Sequence, residues 1–209
     1  MNDAPQEMTT PAATAATSAM TTGRLVPTPG QTIGPFYGYA LPYERGDQLA
    51  GPHHPRAVRL HGTVYDGAGD PIPDALLEIW QADEDGTVPR APGSLRRDGW
   101  TFTGFGRAAV DNAGDYTFTT VNPGPTEEGA APFIAVTLFA RGLLNRLFTR
   151  IYLPENSVAL ESDPLLASIP ADRRPTLIAE REPDGGLRFD IRLQGDGETV
   201  FLAFPGIDR

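Results

Sequence analysis

The sequence contains no cysteine among its 209 residues. Disulfide bonds, thiolate metal ligands and thiol nucleophiles are therefore excluded. No apolar run approaches the roughly 20 residues that cross a bilayer. The N-terminus also lacks a basic start followed by a continuous apolar stretch, which is the pattern of a secretory signal. We therefore predict a cytoplasmic protein that does not interact with membranes.

Positive charge is also scarce, with 17 Lys and Arg residues against 27 Asp and Glu residues and a formal net charge of -10. Such a surface repels nucleic acids and anionic membranes on average, so neither is predicted as a partner. Hydrophobic residues make up 40% of the chain, which is enough for a sizeable core. A chain of this length is expected to form one main domain.

The composition changes twice along the chain. Residues 1–23 are rich in Ala, Thr and Pro and contain almost no large apolar side chains. Burial there cannot offset the entropy of ordering, so this segment is predicted to be a disordered tail. Residues 24–56 combine many prolines and glycines with little periodicity, which is typical of an extended irregular arm. Its aromatic residues need a surface to pack against, namely Phe36, Tyr37, Tyr39 and Tyr43.

Short strands separated by turns dominate residues 57–209. Apolar residues alternate from Val58 to Val64, which predicts a strand with one buried face. A short helix is predicted at 163–169, with Asp163 as its cap and Pro164 in its first turn. We therefore predict an all-β fold, a β-sandwich core with an extended irregular N-terminal arm and minor helix. The other predicted strands are 75–80, 116–121, 133–140, 147–153, 187–193 and 199–204.

One predicted strand has an unusual composition. The segment from Phe133 to Ala140 is apolar at nearly every position instead of at alternate ones. An antiparallel strand with one face in water alternates, so we predict that both faces of this strand are covered. One cover would be the sandwich core. The other cover could be part of the same chain, such as the arm, or a partner subunit.

Three parts of the sequence resemble the intradiol ring-cleaving dioxygenases. Residues 28–37 are similar to the family's arm motif T-P-x-Q-T-x-G-P-[FY]. Residues 61–66 and 75–83 resemble its core pattern G-x-V-x-D … [LV]-[EV]-x-W-Q-A. The third part resembles the iron-free subunit of the two-subunit members more than any other branch, and it comprises residues 139–142, 189–195 and 198–201.

This resemblance implies chemistry with a ferric ion, O₂ and a catechol ring. In catalytic members two tyrosines and two histidines hold the iron, because anionic oxygen stabilises the ferric state. Here Thr126 stands at one tyrosine position, and Ile134 and Val136 stand at the two histidine positions. The region of the second tyrosine, residues 83–105, contains no tyrosine. The resemblance therefore implies no catalytic residue and no metal ligand in this chain, with Fe(3+) bound by a partner beta subunit.

The resemblance also implies what an iron-free subunit contributes. Its arm closes one wall of the substrate pocket that the partner chain builds. Arg141 would attract the carboxylate of a carboxylated catechol by its permanent charge. The alternative for the arm is that its aromatic residues only pack on their own sheet. Carried over by motif, the wall residues are Thr32, Gly34, Pro35 and Phe36.

Other polar residues suggest no separate site. His53 and His54 are adjacent in a proline-flanked loop and are predicted to be solvated, and His61 is predicted to be half-exposed on the first strand. Glu78 and Asp83 are interpreted as acidic residues of a solvated face.

Two other functional classes are alternatives to an iron-free subunit. A non-enzymatic β-sandwich binding or structural module is the main alternative, since this fold hosts many functions. A self-sufficient dioxygenase conflicts with the missing ligands, and the sequence shows no helical N-terminal segment of the kind that the homodimeric members carry.

Overall fold

A computed structural model of the protein describes residues 34, 36–90, 97–155 and 157–204. The predicted tail at 1–23 and the first part of the arm lie outside these residues, so the predicted boundaries at 23 and 56 stay predictions. The described helices are short: α1 (Tyr37–Ala40), α2 (Ser157–Ser162), α3 (Pro164–Ser168) and a 3₁₀ turn at Arg174–Leu177. The described strands are β1 (Val58–Tyr65), β2 (Leu76–Gln81), β3 (Phe105–Ala109), β4 (Asp115–Thr120), β5 (Phe133–Phe139), β6 (Leu147–Tyr152), β7 (Glu180–Arg181), β8 (Leu187–Arg188) and β9 (Ile191–Arg192).

The strands form two sheets that pack face to face, which confirms the predicted β-sandwich. The first sheet has the order β4-β1-β8-β7, and β9 also pairs with β1. The second sheet has the order β3-β2-β5-β6 and is antiparallel throughout. Their inner faces form one core, to which Leu60 and Phe118 contribute from the first sheet and Ile79 and Leu138 from the second. Each of these four side chains is at most 1% exposed.

A buried glutamine joins the two sheets. The Gln81 side chain at the end of β2 donates to the backbone oxygen of Val121 at 2.9 Å and accepts from the Thr120 hydroxyl at 2.7 Å. Gln81 is 2% exposed, so these bonds satisfy a polar amide that would otherwise be buried without partners.

A close backbone contact is found in β1, where a Cβ atom at Gly62 would lie 2.0 Å from the carbonyl oxygen of Phe189. Only glycine fits there.

The predicted elements are largely present. Helices α1 and α2 and strand β7 are additional to the prediction, and three other differences concern strands. The helix at 163–169 is confirmed as α3, and the Asp163 carboxylate caps it by accepting from the backbone of Leu165 and Leu166. The predicted strand at 187–193 is interrupted between β8 and β9. The predicted strand at 199–204 is wrong, since these residues form no strand. Strand β3 was not predicted.

The described part of the arm consists of two segments that are held differently. We call residues 36–41 the outer arm and residues 43–51 the inner arm. The inner arm hydrogen-bonds to both sheets: Gly46 accepts from the backbone of Arg107 in β3, and Leu49 donates to the backbone of Thr119 in β4, both at 2.8 Å. Leu49 is fully buried in the core between these edge strands. The inner arm therefore closes one side of the sandwich.

Candidate functional site

Strand β5 carries the two positions that align with the iron-binding histidines of catalytic members. The two faces of this strand differ. Ile134 and Val136 are 0% and 2% exposed and belong to the core between the sheets. The opposite face of the strand carries Phe133, Ala135, Thr137 and Phe139, which are half-buried. Ile134 and Val136 point into the packed core of this chain and, as hydrocarbon side chains, offer no lone pair to a metal ion.

Within this chain the outer face of β5 is covered only in part, and its cover by a partner subunit stays a prediction. At one end the ring of Tyr37 lies 6.4 Å from that of Phe139. At the other end the Arg150 guanidinium lies 3.8 Å from the centre of the Phe133 ring. The arm is therefore one of the covers, as the sequence left open, but it reaches only the end of the strand.

The position that aligns with an iron-binding tyrosine of catalytic members also lacks a metal ligand. Thr126 is exposed in the loop after β4. That loop packs tightly on the turn after β2, where a Cβ atom at Gly86 would lie 2.0 Å from the oxygen of Pro125. A hydroxyl such as that of Thr126 is a weak ligand compared with a tyrosinate. The residues at the predicted ligand positions therefore do not fit a ferric ion.

Two of the chain's three histidines and the buried Tyr116 have other partners. Nε2 of His61 lies 2.7 Å from Oε2 of Glu182, and Nδ1 of His54 accepts from the backbone of Arg56. The buried Tyr116 hydroxyl donates to the carbonyl of Phe189, and burial raises the pKa of that hydroxyl. Within the described ranges no group of three or more His, Asp or Glu side chains could hold a metal ion.

The predicted wall residues lie partly within the described structure. Thr32 and Pro35 lie outside the described residues. Gly34 has a φ of +70°, a left-handed conformation that glycine adopts without strain. Phe36 precedes α1 and is 79% exposed, so it does not pack on its own sheet.

Arg141 lies directly after β5 and is linked to the arm. Its Nε atom lies 3.0 Å from Oδ2 of Asp74, and the Tyr37 hydroxyl donates to the backbone oxygen of the same aspartate. Burial and the nearby Asp74 charge raise the pKa of Tyr37 to about 12, against the opposing effect of the Arg141 backbone and guanidinium. The structure thus brings Arg141 and the arm together. No local pattern marks Asp74, because its partners are distant in the chain.

The two acidic residues interpreted as solvated have structural roles instead. Oε1 of Glu78 accepts from Nε of Arg107 on the neighbouring strand at 2.8 Å, and both side chains are half-buried. The Asp83 carboxylate accepts from the backbone of Asp85 and Thr87 and closes the turn after β2. The interpretation as a solvated face was therefore wrong for Glu78, whereas the bonds of Asp83 lie at an exposed turn.

A cleft of about 540 Å³ opens beside the inner arm. It lies between the inner arm and the edge strands β3 and β4, and Tyr43, Arg59 and Asp111 are among its lining residues. Gly34, Phe36 and Arg141 do not line it. These three residues are thus on a different part of the surface. Considering only the described ranges, no helix is long and apolar enough to cross a membrane.

Comparison with known proteins gives a consistent result. A family model described as a dioxygenase matches residues 33–195. The chain is 40% identical over 191 residues to the protocatechuate 3,4-dioxygenase alpha chain of Burkholderia cepacia, covering 84% of this chain and 96% of that one. It is 32% identical over 159 residues to the beta chain of the same organism's enzyme, covering 68% of this chain and 66% of that one.

A solved structure also resembles the fold. The dioxygenase domain of a dioxygenase–carbohydrate-binding fusion from Streptomyces sp. SirexAA-E superposes with a TM-score of 0.54 at 26% identity. The match covers 81% of this chain and 99% of that domain.

Proposed function

The chain belongs to the intradiol ring-cleaving dioxygenase family, which is iron-dependent, and we propose that it is the iron-free alpha subunit of a protocatechuate 3,4-dioxygenase. The assembled enzyme cleaves protocatechuate between its two hydroxyl-bearing carbons. Both atoms of O₂ enter the product, 3-carboxy-cis,cis-muconate. One observation carries the assignment: 40% identity to an alpha chain along nearly its whole length, combined with apolar residues at the ligand positions on β5.

We propose that the Fe(3+) ion is bound by a beta subunit. The related beta chain supports such a partner, because alpha and beta chains are named for the same enzyme in Burkholderia cepacia. The exposure of Phe36 supports an arm that reaches out to this partner, since a large aromatic ring 79% exposed is stabilised by burial in an interface. Thr32, Gly34, Pro35 and Phe36 would form the wall, and the assembly would work in the cytoplasm.

Co-expression tests this proposal. The chain purified alone should lack ring-cleaving activity and the visible absorption of tyrosinate bound to iron. Co-expression with a beta subunit should produce both. Ring cleavage by the isolated chain would contradict the proposal.

The role of Arg141 is tested in the assembled enzyme. Arg141→Ala should raise KM for protocatechuate, because the permanent charge that attracts the substrate carboxylate is lost. A catechol without a carboxylate serves as the control substrate, and its KM should not change. If KM and turnover for protocatechuate both stay at their wild-type values, Arg141 has no such role.

A further inference from the structure

Asp74 connects two parts of the chain that are far apart in sequence. It lies just before β2, and its backbone oxygen accepts the hydrogen bond of the Tyr37 hydroxyl in the arm. Its carboxylate forms the ion pair with Arg141 at the end of β5. The arm and the arginine are therefore held by the same residue, one through its backbone and the other through its side chain.

The contact fixes the arginine at one atom and leaves the rest of the group accessible. The Arg141 side chain is 63% exposed, whereas that of Asp74 is only 24% exposed. A free arginine side chain loses rotamer entropy when it binds an anion. Because Asp74 contacts Nε, the two terminal nitrogens can still face an anion. A carboxylate and these nitrogens form two parallel hydrogen bonds when the guanidinium is held in place.

Tyr37 fixes the arm at the same point. Its ring is 6% exposed and packs near Phe139, and its hydroxyl is bonded to Asp74. Its neighbours in α1 have no such support, since Tyr39 is 87% exposed. Tyr37 therefore holds the outer arm beside Phe36, and a second contact holds its end, where the Arg107 guanidinium donates to the Leu41 carbonyl oxygen.

We propose that Asp74 and Tyr37 are positioning residues for the substrate carboxylate, which hold Arg141 and the arm wall as one unit. This inference rests on the proposed function, in which Arg141 and the arm border the partner's substrate pocket. Asp74 itself does not touch the substrate. It acts by restricting the guanidinium to an orientation that receives a carboxylate.

A different role for Asp74 gives the opposite kinetic result. If Asp74 only neutralised Arg141, its removal would strengthen the attraction between the pocket and the carboxylate. KM for protocatechuate would then fall. Positioning predicts that KM rises, because the freed guanidinium must lose rotamer entropy when substrate binds. The direction of the change therefore separates the two roles.

The test uses the co-expressed alpha–beta complex with Tyr37→Phe and Asp74→Asn. Each variant should raise KM for protocatechuate roughly 3- to 10-fold, the factor that corresponds to one ordinary hydrogen bond. kcat should change little, and KM for a catechol without a carboxylate should stay the same. Tyr65→Phe in β1 and Asp172→Asn are matched controls outside the arm and should leave every constant unchanged.

Arg141→Ala separates a failure of this inference from a failure of the proposed function. If Arg141→Ala raises KM for protocatechuate but Tyr37→Phe and Asp74→Asn do not, only the positioning role is wrong. If Arg141→Ala has no effect either, the proposed carboxylate contact is wrong as well. An equal rise in KM for both substrates would also overturn positioning. Tyr37→Phe removes a single oxygen atom and carries the test alone if Asp74→Asn does not assemble.

Discussion

The inner and outer segments of the arm are neighbours in the sequence but differ in how they are held. Neither shows the alternation of apolar residues that predicts a strand. The inner arm hydrogen-bonds to the edge strands of both sheets and buries Leu49 completely. The outer arm is anchored by Tyr37 and leaves Phe36 and Tyr39 exposed. The inner arm therefore completes this chain's own fold, whereas the outer arm is available to a partner.

The largest effect that separates the two halves is expected from Leu49→Ala. This change removes a fully buried side chain from the core, and such changes cost about 2–5 kcal/mol of unfolding free energy. Leu41→Ala in the outer arm is the matched control, because Leu41 is 37% exposed. Chemical denaturation of the isolated chain measures both. Equal losses in the two variants would show that the two halves are held alike.

Phe36→Ala should lower the activity of the complex and leave the stability of the isolated chain unchanged. The isolated chain should unfold as the wild type does, because exposed substitutions change stability by about 0.5 kcal/mol or less. In the complex with a beta subunit, kcat/KM for protocatechuate should fall roughly 5- to 30-fold, as for the loss of an aromatic interface residue worth 1–2 kcal/mol. Val158→Ala, at a residue 75% exposed in α2, is the control. An unchanged kcat/KM would mean that the outer arm has no partner role.

The smallest expected effect is on how the unfolding free energy depends on pH. The pKa of Tyr37 is about 12 in the folded chain, above its ordinary value of 10. The unfolded chain therefore loses this proton first as pH rises, and the contribution of Tyr37 to stability is present below pH 10 and is lost through pH 12. Tyr37→Phe should consequently narrow the difference in unfolding free energy measured at pH 8 and pH 11. Tyr39→Phe should not, and a matching change there would contradict the anchoring role of Tyr37.

Patterns that are local in sequence predicted most of the sandwich. The alternation from Val58 to Val64 predicted β1, and Asp163 with Pro164 predicted α3. Strand β3 reads Phe-Gly-Arg-Ala-Ala, and its glycine and alanines have low strand propensity, so no pattern marks it. Residues 199–204 have strand-like composition but make only single backbone bonds, such as that from Leu202 to Phe148.

Contacts between distant residues could not be predicted from the sequence. Leu49 follows Asp47 and Gln48 in a segment without periodicity, so its place in the core depends on a gap between two edge strands. The ion pair of Glu78 with Arg107 and the hydrogen bond between His61 and Glu182 join residues 29 and 121 positions apart. The resemblance to a family supplied the candidate residues, and the structure added Tyr37 and Asp74, which connect them.

The iron content of the purified alpha–beta complex tests the central claim most directly. Elemental analysis of the complex, with the two chains quantified separately, gives the number of iron ions for each alpha–beta pair. We predict one iron ion per pair and none in the isolated alpha chain, because the β5 positions of this chain offer no ligand. Two iron ions per pair, or stoichiometric iron in the isolated chain, would contradict the assignment.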